Sequence, residues 1–282
     1  MNHMIECGPA IPTGRRSFNT QVVFGTSFTF LTSGVFLSGL AMYMGASDLL
    51  VSYISMISNI CGISILLFSS LIERFKSRRF LFFVVYIFLF YLMLSIADSF
   101  TVVYMMRYLK LSYIATTAIQ MLISLPQIFL LGIWGKISDK RGHQFALTAS
   151  IWFFIGETLF LALSNSHNLY IFIPAAFLFA SVANAGFMVS VFNRRYELMP
   201  RDGRILFDNF FSAAVGLAFI LGPVIGGAVK HLLESSSWVK GAIQFGNIRL
   251  LYVVSTVAII ILQILVLGFK SRGSKLTLEG GC

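Results

Sequence analysis

The sequence predicts an all-α polytopic membrane protein with about eight transmembrane helices. Three observations predict it. Of the 282 residues, 57% are hydrophobic and only 11% are charged, where a soluble domain carries roughly 25% charged residues. Apolar runs long enough to cross about 30 Å of hydrocarbon, each about 20 residues, recur along the chain. The basic residues lie between those runs and crowd into alternate gaps. So few charges cannot cover a water-facing surface, and lipid is the solvent for most of this chain.

The first run is Gln21–Met44. Thr13-Gly14-Arg15-Arg16-Ser17-Phe18 before it loosely resembles a twin-arginine export signal, but the run is long and has no small-residue cleavage site, so a retained span is expected. The second, Leu49–Ile72, stops at Glu73-Arg74. The third, Phe80–Met106, is interrupted by Asp98 and Ser99. Ending it at Ala97 would strand the apolar Thr101–Met106 in water, so one long tilted helix is expected. The fourth, Ser112–Gly135, contains Pro126, and the fifth, Phe145–Leu163, contains Glu157. Leu169–Phe192, Ile205–Val229 and Ile248–Phe269 complete the set.

Orientation follows from charge. With the N-terminus in the cytoplasm, sixteen of the 21 Lys and Arg fall on the inner side: Arg15, Arg16, Arg74, Lys76, Arg78, Arg79, Lys136, Lys140, Arg141, Arg194, Arg195, Arg201, Arg204, Lys270, Arg272 and Lys275. The outer side keeps Arg107, Lys110, Lys230, Lys240 and Arg249. The expected location is the plasma (inner) membrane, multi-pass, with both termini cytoplasmic. The net charge of +10 is thus topological, and no nucleic-acid partner is expected.

Several function classes are disfavoured. Cys7, Cys61 and Cys282 lie far apart, without CxxC or His-rich spacing, so neither a disulfide framework nor a metal site is expected. His3, His143, His167 and His231 fall at loops or span ends. The chain has no HExxH, GxSxG or Walker loop, and its loops are too short for a catalytic domain. An enzyme is not expected, and neither is a cofactor.

Two stretches look alike at a spacing of 66 residues. Ser69-Ser70-Leu71-Ile72-Glu73-Arg74-Phe75-Lys76-Ser77-Arg78-Arg79 and Gly135-Lys136-Ile137-Ser138-Asp139-Lys140-Arg141-Gly142-His143-Gln144-Phe145 each put an acid and then a base at the inner end of an even-numbered span. Gly135-x-x-x-Asp139-Lys140-x-Gly142 resembles the loop signature of the major facilitator superfamily, G-x-x-x-D-(R/K)-x-G-(R/K)-(R/K), with His143 and Gln144 in place of the final basic pair. The copy at Ser69–Arg79 lacks both glycines. In physical terms, Gly135 allows two helices to approach, Gly142 allows a tight turn, and Asp139 can cap a helix or pair with a base. Thr32-Ser33-Gly34 and Gly45-Ala46-Ser47-Asp48 resemble the first helix and outer loop of one bacterial branch. Tyr196-Glu197-Leu198-Met199-Pro200 through Arg204, and Gly222-Pro223-Val224-Ile225-Gly226-Gly227, resemble its tenth-to-eleventh-helix region.

The resemblance implies a shortened, partial major facilitator fold. Residues 1-20 are a cytoplasmic segment, 21-79 resemble the first helix pair, 80-270 resemble helices seven to twelve, and 271-282 are a cytoplasmic tail. Helices three to six have no counterpart, with a junction near Lys76–Phe80. The function implied is secondary transport of a small solute with a proton or sodium ion, impaired by the missing wall of the cavity. The alternative is a non-transporting membrane scaffold or partner subunit. Expected partners are the bilayer, the solute and a second copy of the chain.

Candidate residues come with a plainer reading each. Asp98, in a span resembling a cavity-lining helix, is either a solute or cation site or an idle outer acid. Glu157, with Ser150 and Ser164 seven residues to either side, makes one polar stripe and is read mainly as a buried structural hydrogen bond. Gln120 and Gln127, a heptad apart, and Asn184 suit a cavity lining or interhelical hydrogen bonds equally. Pro126 frees a backbone carbonyl beside Gln127. Asp208 begins the seventh span within reach of Arg204, while Asp139 with Arg194, Arg195 or Arg204 is expected to form an inner latch beside Lys140. Gly222, Gly226 and Gly227 are read as packing positions and Pro223 as a bend.

Overall fold

The computed structural model describes residues 44–45, 78–165, 167–200, 204–235 and 248–279. The first two expected spans, Gln21–Met44 and Leu49–Ile72, lie outside these residues except for Met44. Among the described residues, regular structure is entirely helical: α1 (Arg78–Asp98), α2 (Thr101–Val103), a π turn (Tyr104–Tyr108), α3 (Tyr113–Arg141), α4 (His143–Leu163), α5 (Leu169–Leu198), α6 (Arg204–Ser235) and α7 (Ile248–Glu279). Six helical runs among them are long and apolar enough to cross a bilayer: Arg78–Tyr108, Tyr113–Arg141, His143–Leu163, Leu169–Leu198, Phe207–Leu232 and Ile248–Gly268. Each corresponds to one of the third to eighth expected spans.

The third span departs from a continuous helix. Its ladder breaks at Asp98, turns through Ser99 and Phe100, and resumes as α2 and the π turn. Ser95 and Ser99 explain the break locally. The Ser99 hydroxyl donates to the Ser95 carbonyl at 2.9 Å, and the Ser95 hydroxyl donates to the carbonyls of Leu92 and, across to α6, Ala218. Serine hydroxyls that bond back to the main chain bend helices and leave carbonyls to seek partners elsewhere.

The fourth span is longer than its apolar stretch. Ser112 caps α3 by accepting from the Ala115 amide at 3.2 Å, and the helix runs through Lys136 and Asp139 to Arg141 before Gly142 (φ 89°) reverses the chain. The left-handed φ is open to glycine without steric cost. The signature therefore lies mostly on helix, not loop. The turn from α4 to α5 is built by two asparagines. The Asn165 side chain accepts from the amides of His167 and Asn168, and that of Asn168 accepts from the Asn165 amide and donates to the Leu163 carbonyl. Helix-end groups are thus bonded by side chains.

Packing runs through aromatic rings, which accounts for part of the 29 phenylalanines. Phe90 of α1, Phe154 of α4 and Phe187 of α5 meet pairwise with centroids 4.8–5.6 Å apart, and Tyr91 touches Phe187 and Phe219. In lipid there is little hydrophobic drive between helices, so fitted contacts of this kind hold the bundle together. The outward faces stay apolar: Ile114, Phe129, Tyr170 and Ile171 are all more than two-thirds exposed. Such a surface suits hydrocarbon, not water.

Polar bonds tie the bundle further. The Tyr86 hydroxyl donates to Gln263 Oε1 at 2.8 Å, joining α1 to α7 in a buried setting. Tyr86→Phe is expected to lower unfolding free energy by about 0.6 kcal/mol, the average for interhelical hydrogen bonds in lipid. Steric trapping in bicelles measures this, and a loss above about 2 kcal/mol would mean that the ring shifts as well.

Candidate functional site

The helices alternate in direction. The starts of α1, α4 and α6 and the ends of α3, α5 and α7 share a basic end, where Arg78, Arg79, Gln144, Arg194, Leu198 and Val266 surround one cavity. At the opposite end, polar side chains from α1, α2, α4 and α7 converge.

That convergence starts at the interruption after α1. The break turns Asp98 toward Thr101, whose hydroxyl donates to Asp98 Oδ1 at 3.4 Å and shares a 2.7 Å hydrogen bond with Tyr252 on α7. Asp98 is close enough for its charge to act on Glu157 of α4, and both acids act on the Tyr252 hydroxyl. Glu157 Oε2 is buried and, among the described residues, has no hydrogen-bond partner. Thr256 donates to Thr158 at 2.8 Å, and Tyr104 donates to the Ser164 carbonyl at 2.8 Å. Asp98 itself is exposed at the edge of the group. Among the described residues, neither acid has an ion-pair partner. Arg249, the nearby cation, donates to the Ala162 carbonyl at 2.9 Å.

Among the described residues, Glu157 thus lacks at Oε2 the buried hydrogen bond expected of it. Ser150 and Ser164 do not bond to it. Each donates to a carbonyl of its own helix, Leu147 and Leu161 respectively. A hydroxyl two bonds from the main chain reaches its own preceding turn more easily than a side chain two turns away.

Asp98 is not brought together with the glutamines. Gln120 and Gln127 are buried on α3, and Gln127 Nε2 reaches Met188 Sδ on α5 at 3.2 Å. Asn184 on α5 donates to the Ala180 carbonyl of its own helix at 2.8 Å. The acids thus gather with polar groups of α1, α2, α4 and α7, while Gln120, Gln127 and Asn184 lie on α3 and α5.

The ion pairs at the basic end differ from the expected ones. Asp139 is exposed and, among the described residues, forms no ion pair. Asp139 lies in the last turn of α3, which runs to Arg141, and is exposed there. Asp208 pairs with Arg195 at 3.1 Å, not with the exposed Arg204, and Arg194 pairs with Glu197 one turn on. The Arg195 guanidinium also lies 4.8 Å from the ring centre of Phe211 and 5.4 Å from that of Tyr196. The Arg195–Asp208 pair joins α5 to α6, and Asp139 is not part of it. Lys140 is exposed, and Ser138 bonds to His143 Nδ1 at 2.6 Å across the Gly142 turn.

The glycines divide. A Cβ on Gly222 would strike Ser95, and one on Gly226 would strike the Ile96 carbonyl and Phe100, so α6 rests directly on the broken end of α1. Gly227 and Gly135 have open space instead, so no helix among the described residues approaches at Gly135. Pro223 lies inside α6 between the two contact glycines. Sequence reasoning missed two further close approaches: Gly156 against Phe179, and Gly186 against Trp134. It also missed Thr101, Tyr252 and Thr256, which carry no motif. The one available signal was their position on spans next to a mid-span acid.

Comparison with known proteins agrees with this helical arrangement. The family model described as Major Facilitator Superfamily matches residues 84–279. Over 105 residues the chain is 33% identical to vacuolar basic amino acid transporter 5 of Saccharomyces cerevisiae, a stretch covering 37% of this chain and 18% of that protein. Over 107 residues it is 29% identical to multidrug resistance protein 3 of Bacillus subtilis, covering 38% of this chain and 20% of the relative. The matched stretch is thus no more than a fifth of either relative's length. No solved structure matches.

Proposed function

Because the chain belongs to the major facilitator superfamily, we propose that it moves a small solute across the membrane by secondary transport, and that Asp98 and Glu157 hold the positive charge that travels. The observation that carries this reading is the buried Glu157 Oε2, without a partner among the described residues, beside a second acid. An ionisable side chain inside a span is costly and is tolerated where it serves an ion or solute path. Ionised, this pair needs a cation; neutral, it needs protons. Either way it exchanges positive charge. A basic amino acid, named for the yeast relative, is a cation that suits two acids, and it is the first solute to test.

In this reading Gln120, Gln127 and Asn184 line the solute path between α3 and α5, and the Arg195–Asp208 pair closes the inner end. The membrane is the plasma (inner) membrane with both termini cytoplasmic. Residues 21-79 supply a first helix pair to the six-helix bundle of 80-270, and helices three to six have no counterpart. A two-sided cavity then needs a second copy of the chain.

The test is uptake of radiolabelled lysine into proteoliposomes under an imposed pH or sodium gradient, at two protein densities. Gradient-driven uptake that rises more than proportionally with density is expected. Glu157→Gln should lower it by about tenfold, equivalent to about 1.4 kcal/mol. Undiminished uptake in Glu157→Gln would remove the acids from the mechanism. Absence of uptake at both densities, with lysine and with organic cations, would favour a non-transporting scaffold.

A further inference from the structure

At the basic end, a cavity of about 430 Å³ opens between α1, α4, α5 and α7. Three arginines are among its lining residues: Arg78 and Arg79 from the start of α1, and Arg194 from near the end of α5. Gln144 and Thr148 of α4 add an amide and a hydroxyl, and no acid is among the lining residues. Among the described residues, Arg78 and Arg79 have no ion-pair partner. Arg194 gives one Nη1 bond to Glu197 at 2.8 Å, which leaves most of its five donors for another acceptor.

Arginines at span ends ordinarily spread outward to reach water separately. Here they border one cavity, where like charges repel unless an anion sits among them. The rest of the wall is apolar and leads outward. Phe82 lines the cavity yet is 54% exposed among the described residues, and Leu81 and Val85 beside it on α1 are exposed as well. A charged headgroup seated among the arginines would therefore have an apolar track for attached chains.

We propose that this cavity is a binding site for a phosphate-bearing anion, either a phospholipid headgroup or a soluble phosphate, held by Arg78, Arg79 and Arg194. Guanidinium forks match phosphate oxygens in geometry as well as charge. Basic pockets between transmembrane helices hold anionic headgroups by the same chemistry. The site stands apart from the acid pair, so it can fail or succeed independently of the transport reading.

Native mass spectrometry of the full chain, released from micelles containing equal dioleoyl-phosphatidylglycerol and dioleoyl-phosphatidylcholine, tests this. Preferential retention of phosphatidylglycerol is expected. The double variant Arg78→Gln/Arg79→Gln should weaken that retention about thirtyfold, Arg194→Gln should weaken it about fivefold, and Lys110→Gln at the opposite end should leave it unchanged. Circular dichroism checks that each variant keeps its helices. Retention that persists in inorganic phosphate marks the lipid as the ligand. Displacement by inorganic phosphate, with phosphate adducts on the native chain and not on the double variant, marks a soluble phosphate. Equal retention of both lipids without phosphate adducts would overturn the proposal. So would a phosphatidylglycerol preference that survives in the folded double variant.

Discussion

Gly226→Leu is expected to lower stability by about 3 kcal/mol, the upper part of the range for overpacking a fitted contact. The reason is geometric. A Cβ at this position meets the Ile96 carbonyl oxygen, and Phe100 Cε2 lies 2.9 Å away. A backbone carbonyl cannot rotate aside as a flexible side chain would, so the whole end of α1 has to move. That end carries the Asp98 break and the Thr101–Tyr252 bond, and the displacement should reach the acid pair as well. Gly222→Leu should behave similarly, because its Cβ meets Ser95, whose hydroxyl is already bonded to the Leu92 and Ala218 carbonyls. Gly227→Ala is the control. Its Cβ meets nothing within 4 Å, and the change removes a flexible residue from a helix, so stability should hold or rise by up to about 1 kcal/mol. Thermal unfolding of the purified variants in detergent measures the order. Equal losses at Gly226 and Gly227 would mean that α6 does not rest on α1 through this face.

Arg195→Leu should produce the next largest loss, about 2–3 kcal/mol. Its guanidinium pairs with Asp208 at 3.1 Å, while its flat faces meet the rings of Phe211, Tyr196 and Phe192. Removing it leaves an acid in the first turns of α6 without its cation. The loss stays below that of a fully buried pair because the Asp208 side chain remains 35% exposed and part of its charge is screened. Arg195→Lys should recover the charge but not the stacking, giving roughly half the loss. Arg194→Leu, whose partner Glu197 is 51% exposed, should cost only about 0–1 kcal/mol. Chemical unfolding of the three variants separates these cases. Equal losses for Arg194 and Arg195 would show that neighbouring position, and not the shared cation, sets the stability of this end.

The acid group shows how far local reasoning reaches. Asp98 and Glu157 stand out in sequence because a charge within an apolar run is costly wherever the run sits. Their mutual approach is not legible, since 59 residues and several helix rotations separate them. Tyr252 and Thr101 carry even less signal. Their hydroxyls are unremarkable until the break after α1 turns one helix end toward α7.

The signature region teaches the same lesson in reverse. The acid, base and glycines of residues 135–142 single out the basic end of α3, and Gly142 does adopt the left-handed turn. Yet Asp139 is exposed in the last turn of α3, and a different acid, Asp208, meets the arginine. Spacing determines which residues share a helix end. It does not determine which way that end faces.

The sequence alone determined the solvent, the spans from residue 80 onward and the gathering of the basic residues at one end of the bundle. Those properties depend on composition and on distance along one helix. The tertiary structure decided the break after Asp98, the Arg195–Asp208 pair, the meeting of Asp98 with Glu157, and which glycines touch a neighbour. These depend on the rotation and crossing of helices. Fitted contacts between distant segments set that geometry, and in lipid no hydropathy difference between one helix face and another announces them beforehand.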